Sequence, residues 1–345
     1  MAHILLTSPV TARELYYGDE ALAGLRKLGE VRLNPTEDSW PPERMIAEAR
    51  GCEVIVSYRQ SAAPALVFDS LPDLVAFVRC AVDIRNIDVA AASRNGVLVT
   101  QASAGFVPAV AEMTLGLMID LARHVTDSAL AYRAGRVPVA AMGRQLKGSA
   151  LGVIGYGAIG QYLCDLAAAL GMTVLVADPH VRADKPGIRQ VALPDLLSAS
   201  DFVVCLAVAT EATENLMDAA AFARMKRGAY FVNVSRGNLV DEAALRAALE
   251  SGHLAGAAFD VGRAPDQMPT PALAALPNVI ATPHAAGLTP PAVFHQSLET
   301  VRQVAEILKG RAPASAVNAT HATRLGRFGG RASGERETGG LRGPR

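Results

Sequence analysis

The run Leu151 to Gly160, LGVIGYGAIG, joins an apolar stretch to three glycines spaced G-x-G-x-x-G: Gly155-Tyr156-Gly157-Ala158-Ile159-Gly160. Residues of these types can cradle a diphosphate. The first glycine permits a tight turn, the second lets a phosphate approach the main chain, and the third allows a helix to pack close on a strand. The phosphate would then meet the free N–H groups and the positive dipole end of the following helix, QYLCDLAAALG. The next strand-like run, TVLVAD, ends in Asp178, whose carboxylate can accept both hydroxyls of a ribose and would repel a 2′-phosphate. That favours NAD over NADP, with Arg182 nearby as the feature that keeps NADP open. Without a ligand, the same glycines read as turn residues and Asp178 as a strand-end cap.

Three later strand-like runs end in chemistry: VNVSRGNLVDE carries Arg236, AGAAFDV carries Asp260 and VIATPHAAG carries His284. In an open parallel sheet, ligands gather beyond the carboxyl ends of the strands, so these side chains are expected at one crevice. A guanidinium can hold a carboxylate in a planar fork, and an imidazole can exchange a proton near neutral pH. Taken singly, Arg236 reads as a salt-bridged strand-end residue and His284 as a capped turn histidine. Asp241 and Glu242 are expected to cap the helix that follows them.

These residues need a scaffold, and the chain supplies one. Short apolar runs (HILLT, VRLN, EVIVS, LVAFV, VLVT, then ALGVIG, TVLVAD, DFVVCLAV, AYFVNVS, LAGAAFDV, NVIATPH) alternate with helical patterns. Such alternation predicts an α/β fold with two doubly wound parallel-sheet, Rossmann-like domains. Pro108 to Arg123 repeats apolar residues at helical spacing, with proline near the first turn, and is the candidate connector; Pro290 to Lys309 is a second helical crossing. Two crossings would let a cleft open and close.

With 33 basic and 33 acidic residues, the chain has no global field to attract nucleic acid or anionic lipid. It has no signal-peptide pattern and no apolar run near the roughly 20 residues that span a bilayer, which predicts a cytoplasmic protein with no membrane partner. Cys52, Cys80, Cys164 and Cys205 lie far apart with no C-x-x-C pair, fitting neither a disulfide framework nor a metal site. From about residue 321 to 345 the chain is rich in Gly and Arg; a solvated, disordered tail is expected there, with an RNA-binding tail as the sharper alternative.

The stretches VIGYGAIG, ATEATENLM, VNVSRGNLVDEAAL, AAFDV and LPNVIATPHAAG, in that order, resemble the D-isomer-specific 2-hydroxyacid dehydrogenase family over about residues 50 to 310. The resemblance implies a discontinuous, flavodoxin-like catalytic (substrate) domain, residues 1–103 and 290–320, around a central NAD domain, residues 104–289. It also implies a homodimer and a small 2-hydroxy or 2-keto acid as substrate. Arg236 would bind the substrate carboxylate and polarise its C2 oxygen, and His284 would be the general acid/base. Asp260 would hold the nicotinamide carboxamide, and Thr213, Val234 and Gly287 would touch the dinucleotide.

The pattern breaks in two places. The family's acidic partner of the histidine belongs five positions after Asp260, where this chain has Pro265, so Asp266 is the candidate replacement. The usually glycine-rich loop of the first domain reads Arg79-Cys80-Ala81-Val82-Asp83-Ile84-Arg85-Asn86, making Arg79, Ala81 and Val82 candidate substrate contacts and an unusual substrate an expectation. For Arg79 and Arg85, solvated charges on a domain surface are the plainer reading. The leading function is hydride transfer between nicotinamide and C2 of the acid. The alternative is a catalytically weakened NAD-binding regulatory protein of the same fold.

Overall fold

The computed structural model describes residues 1–329. The chain divides into two units, Phe106–Thr289 in the middle and residues 1–105 with the chain from Pro290 around it. In the outer unit the strands are β1 (Ala2–Leu6), β2 (Gly29–Leu33), β3 (Val54–Ser57), β4 (Ala76–Arg79) and β5 (Leu98–Thr100). Their order is β2-β1-β3-β4-β5 and every ladder is parallel, with Leu6 opposite Val56 and Ser57 opposite Arg79. This is the flavodoxin-like doubly wound order. Strands β3 and β4 are buried at every residue, as helices on both faces require. The period of two sends Ile4, Leu6, Val54 and Val56 to one core with Tyr17 and Ile307, and Leu5, Ile55 and Phe77 to another with Trp40 and Phe68.

The second crossing forms the helix Pro290–Ile307 of this unit. Polar pairs fix its register: the Tyr17 and Thr300 hydroxyls lie 2.9 Å apart, and Thr100 Oγ1 donates to Gln303 Oε1 at 2.8 Å. The tail expectation needs correction at its start. Residues 319–329 form short helical turns, and Leu325 and Phe328 are buried against the core of β1 and β3, because two apolar side chains suffice once a ready surface is present. Residues 330–345, where the rest of that expectation falls, lie outside the described residues.

The central unit holds β6 (Ala150–Ile154), β7 (Thr173–Ala177), β8 (Ile188–Gln190), β9 (Phe202–Cys205), β10 (Ala229–Asn233), β11 (Leu254–Phe259) and β12 (Val279–Ala281). They form one parallel sheet in the order β12-β11-β10-β9-β6-β7-β8. The order reverses between β6 and β9, which opens a crevice at their carboxyl ends. The unit begins with the helix Val107–Arg123, which has Pro108 in its first turn as expected and packs Ala111, Met118 and Ala122 onto the sheet's core. The boundary falls between Gly105 and Phe106 rather than between residues 103 and 104. Asp241 caps the helix Glu242–Glu250 through the N–H groups of Ala243 and Ala244, as its position suggested. Among the described residues no helix is long and apolar enough to cross a membrane.

Candidate active site

The glycine loop leaves β6 at the reversal point. Gly155 has φ +99°, and a Cβ there would lie 2.7 Å from the Leu206 carbonyl carbon, so the turn demands glycine on both counts. A Cβ on Gly160 would lie 2.3 Å from the Gly155 oxygen, which fixes how closely the helix Ala158–Ala169 approaches the turn. Gly157 differs: nothing lies within 4 Å of its Cβ position, at the N-cap of that helix. The first intrahelical bond runs from Gln161 N–H to Gly157 O, leaving the Ala158, Ile159 and Gly160 N–H groups around that open space. An anion fits there, and a side chain at Gly157 would fill the cradle.

Asp178 follows β7 and reaches the loop. Its Oδ2 accepts from Tyr156 N–H at 2.7 Å, and its Oδ1 accepts from His180 and Val181 N–H at 2.7 and 2.9 Å. Burial pushes its pKa up, but the three N–H donors outweigh burial and hold it below the usual carboxylate value. It stays ionised at neutral pH beside the glycine turn.

The loops after β10, β11 and β12 form a second constellation. Asn233, buried at the end of β10, accepts from Ser235 N–H and donates to Arg236 O, bending the chain so that Arg236 follows the strand directly. The next residue, Gly237, has no room for a side chain, since a Cβ would lie 2.1 Å from the Gly262 carbonyl carbon. The Arg236 turn is therefore seated on the segment after β11. That segment begins with Asp260, which is buried and accepts from Thr282 Oγ1 at 2.6 Å and from Ala285 and Ala286 N–H, both at 2.8 Å. These bonds hold the turn that carries His284, itself at φ +54°. His284 Nδ1 lies 2.8 Å from the main-chain oxygen of Asp266.

Comparison with known proteins places this arrangement in one family. The model of the D-isomer specific 2-hydroxyacid dehydrogenase NAD binding domain matches residues 115–286. Glyoxylate reductase of Korarchaeum cryptofilum is 32% identical over 306 residues, covering 86% of this chain and 92% of that protein. The chain belongs to the D-isomer specific 2-hydroxyacid dehydrogenase family. D-3-phosphoglycerate dehydrogenase of Archaeoglobus fulgidus is 32% identical over 320 residues, covering 91% of this chain but 59% of that protein. The chain spans about half the length of the first such relatives, 59%, 44% and 49%. The crystal structure of the TT0316 protein from Thermus thermophilus superposes with a TM-score of 0.82 at 29% identity, covering 91% of this chain and 99% of that one. The central unit thus carries the family's NAD-binding domain, and the fold is that of an NAD-binding oxidoreductase.

Several expected site residues also make contacts within the protein. Tyr156 contributes its N–H to Asp178, while its ring is buried in the core. Ile159 packs partly against the same core, and Val234 is buried in it. The Thr213 hydroxyl bonds Val208 O at 2.8 Å and accepts from Thr210 N–H, closing its own loop. Gly287 sits where a Cβ would come 3.3 Å from Phe106. Asp260, expected at the nicotinamide carboxamide, also fixes the histidine turn, for the neighbouring loop supplies three donors to its carboxylate. The main-chain oxygen of Asp266, a residue expected to pair with His284 through its side chain, is a contact of the His284 ring.

Arg79, a candidate substrate contact, is 0% exposed. Its guanidinium donates to Tyr58 O, to Ser61 O at 2.9 Å and to Asn86 Oδ1 at 2.6 Å. Burial lowers its pKa to about 10. Loops distant in sequence surround the end of β4 with carbonyl groups, so Arg79 braces the loop rather than contacting substrate or solvent as expected. Ala81 and Val82 keep their candidacy, for both are half-buried and neither N–H has a protein acceptor among the described residues. Arg85 pairs with Asp83 at 2.6 Å on the same loop.

Asn233, Gly237, Gly262, Thr282 and Arg263 escaped the sequence reading. Arg263 ties its segment to Glu214 at 2.9 Å, to Asn215 at 2.6 Å and to the Asn238 and Val240 carbonyls. Only Asn233 left a signal, an asparagine two residues before a serine at a strand end, which is an Asx-turn pattern.

Proposed function

We propose that the chain is an NAD-dependent dehydrogenase moving a hydride between nicotinamide and C2 of a small D-2-hydroxy acid, with reduction of the 2-keto acid as the reverse reaction. The observation that carries this is the seating of the Arg236 turn on the segment that contacts His284, at the carboxyl edge of the sheet bearing the glycine loop. The Ala158–Gly160 N–H groups would take the diphosphate and Asp178 the adenosine ribose. The ionised Asp178 favours NAD over NADP. Bound nicotinamide supplies the hydride donor or acceptor. Arg236 pairs with the substrate carboxylate and draws electron density from the C2 oxygen. His284 Nε2 takes the hydroxyl proton as the alcohol is oxidised and returns it when the ketone is reduced.

The relatives' names point to small acids, a phosphoglycerate and a glyoxylate, and support that substrate class. The chain is proposed to work in the cytoplasm, which suits its four unpaired cysteines. It is proposed to act as a homodimer. The central unit leaves Val125, Leu130, Tyr132, Val137, Val139 and Met142 exposed in one stretch, Met142 at 98%, and monomers rarely leave so much apolar surface in water.

The test is the fall of NADH absorbance with glyoxylate, hydroxypyruvate, pyruvate and phenylpyruvate, with NADPH in parallel. His284→Ala and Arg236→Ala should each cost about 10²- to 10⁴-fold in kcat/KM. NADH binding without turnover of any acid in the panel would favour the regulatory alternative.

A further inference from the structure

We infer that the group orienting His284 is the main-chain carbonyl of Asp266, delivered by the left-handed backbone of that residue. The inference rests on the reading of His284 as the acid/base. A carbonyl oxygen only accepts, so the ring nitrogen 2.8 Å from it must carry a proton. That fixes the neutral imidazole as the Nδ1–H tautomer and leaves the Nε2 lone pair to take a proton from substrate. Any proton His284 gains is then gained at Nε2 alone.

The carbonyl reaches the ring because the chain turns unusually before it. Asp266 has φ 55° and ψ 23°, and Gln267 has φ 58°, two consecutive non-glycine residues in the left-handed region. Aspartate is among the few side chains that enter this region readily, because its short polar group can bond locally. The loop closes on both sides of the turn. Gly262 N–H donates to Gln267 O at 2.7 Å, and Ala264 N–H donates to Met268 O at 3.0 Å. A Cβ on Gly262 would lie 2.5 Å from Pro269 Cα, so the two arms of the loop are in contact. Across from it, Asp260 holds the Ala285 and Ala286 N–H groups, which leaves His284 little freedom to leave its partner. A carbonyl delivered by a constrained turn thus stands where the family's pattern places a carboxylate.

Two variants test the backbone with the charge removed from both. Asp266→Gly and Asp266→Val both remove the carboxylate, but glycine keeps the left-handed conformation and a β-branched residue resists it. The His284 tautomer is read by ¹⁵N NMR on the full chain without substrate, its signals assigned by their loss in His284→Ala. The Nδ1–H tautomer is expected in wild type and in Asp266→Gly, and a mixture of tautomers in Asp266→Val. With a keto acid that turns over, kcat of Asp266→Val should fall about tenfold or more below that of Asp266→Gly, while NADH affinity stays the same. Should Asp266→Val fail to fold, Asp266→Asn provides the second arm, since asparagine also accepts the left-handed region and should keep the wild-type tautomer. Loss of the tautomer in the Gly or Asn variants, equal kcat in Gly and Val, or an Nε2–H tautomer in wild type would overturn the inference. Full turnover in His284→Ala would instead sink the acid/base reading, and the NMR result would stand apart from it.

Discussion

Gly237 and Gly262 meet main chain to main chain, so closely that a Cβ on Gly237 would lie 2.1 Å from the carbonyl carbon of Gly262. The contact places the residue after Arg236 against the segment that leads to Asp266. A methyl group here cannot be absorbed by a flexible side chain, since backbone stands on the other side. Gly237→Ala is expected to cost about 1–3 kcal/mol of stability, the range for overpacking, and to reduce kcat more than it raises the Kd for NADH. Thermal denaturation and steady-state kinetics check this; an unchanged kcat would show that the seating has no catalytic role.

Gly157 gives the opposite case. Its φ of −69° is ordinary for any residue and nothing lies within 4 Å of its Cβ position. Gly157→Ala should leave Tm unchanged and weaken NADH binding about tenfold or more, because the methyl group would occupy space only a bound diphosphate needs. Fluorescence titration with NADH measures it, and undiminished binding would move the diphosphate elsewhere.

Asp260 accepts three hydrogen bonds in a buried setting. Asparagine offers one acceptor oxygen and an NH₂ group, so Asp260→Asn must leave at least one of the Ala285 and Ala286 N–H groups facing a donor. The expected cost is about 1–3 kcal/mol for the unsatisfied group, together with a fall in kcat as His284 loses its fixed turn. Calorimetry with kinetics tests the pairing of the two effects; a stability loss at full kcat would confine Asp260 to structure.

The glycine loop and Asp178 were legible in the sequence because their requirements are local: a turn, a helix start and a strand end a few residues apart. Arg236 and His284 were legible because strand ends in a parallel sheet face one edge. Arg79 was not, since the carbonyls around it come from Tyr58 and Ser61, far off in sequence, and a charge beside other charges reads as surface. The Asp266 contact was hidden for a different reason, in that sequence displays side chains and gives no sign of which way a main-chain carbonyl points. Composition also hid the start of the C-terminal segment, where the average over many Gly and Arg residues masked two apolar anchors.

Those anchors are testable. Phe328 is 4% exposed and belongs to the core that includes Ile4, Val54 and Ile307. Phe328→Ala should destabilise the outer unit by about 3–5 kcal/mol, the range for truncating a buried aromatic. NADH affinity, a property of the central unit, should not change. Denaturant unfolding with NADH titration decides; an unchanged midpoint would return the segment to solvent.

Asp201 links the start of β6 to β9, accepting from Ala150 N–H at 2.8 Å and pairing with Arg144 at 2.7 Å and Lys226 at 3.2 Å. Burial pushes its pKa up, but the Ala150 N–H, Lys226 and Arg144 outweigh burial and hold it below the usual carboxylate value. A carboxyl group depressed in the folded state contributes stability above its unfolded pKa, near 3.9, and the contribution is lost as pH falls through the depressed value. Asp201→Asn should therefore lower Tm at pH 7 relative to wild type, and the gap should narrow as pH drops below about 4. Calorimetric scans across that range give the answer: a gap that stays constant with pH would mean that Asp201 acts through shape and neutral hydrogen bonding rather than through its charge.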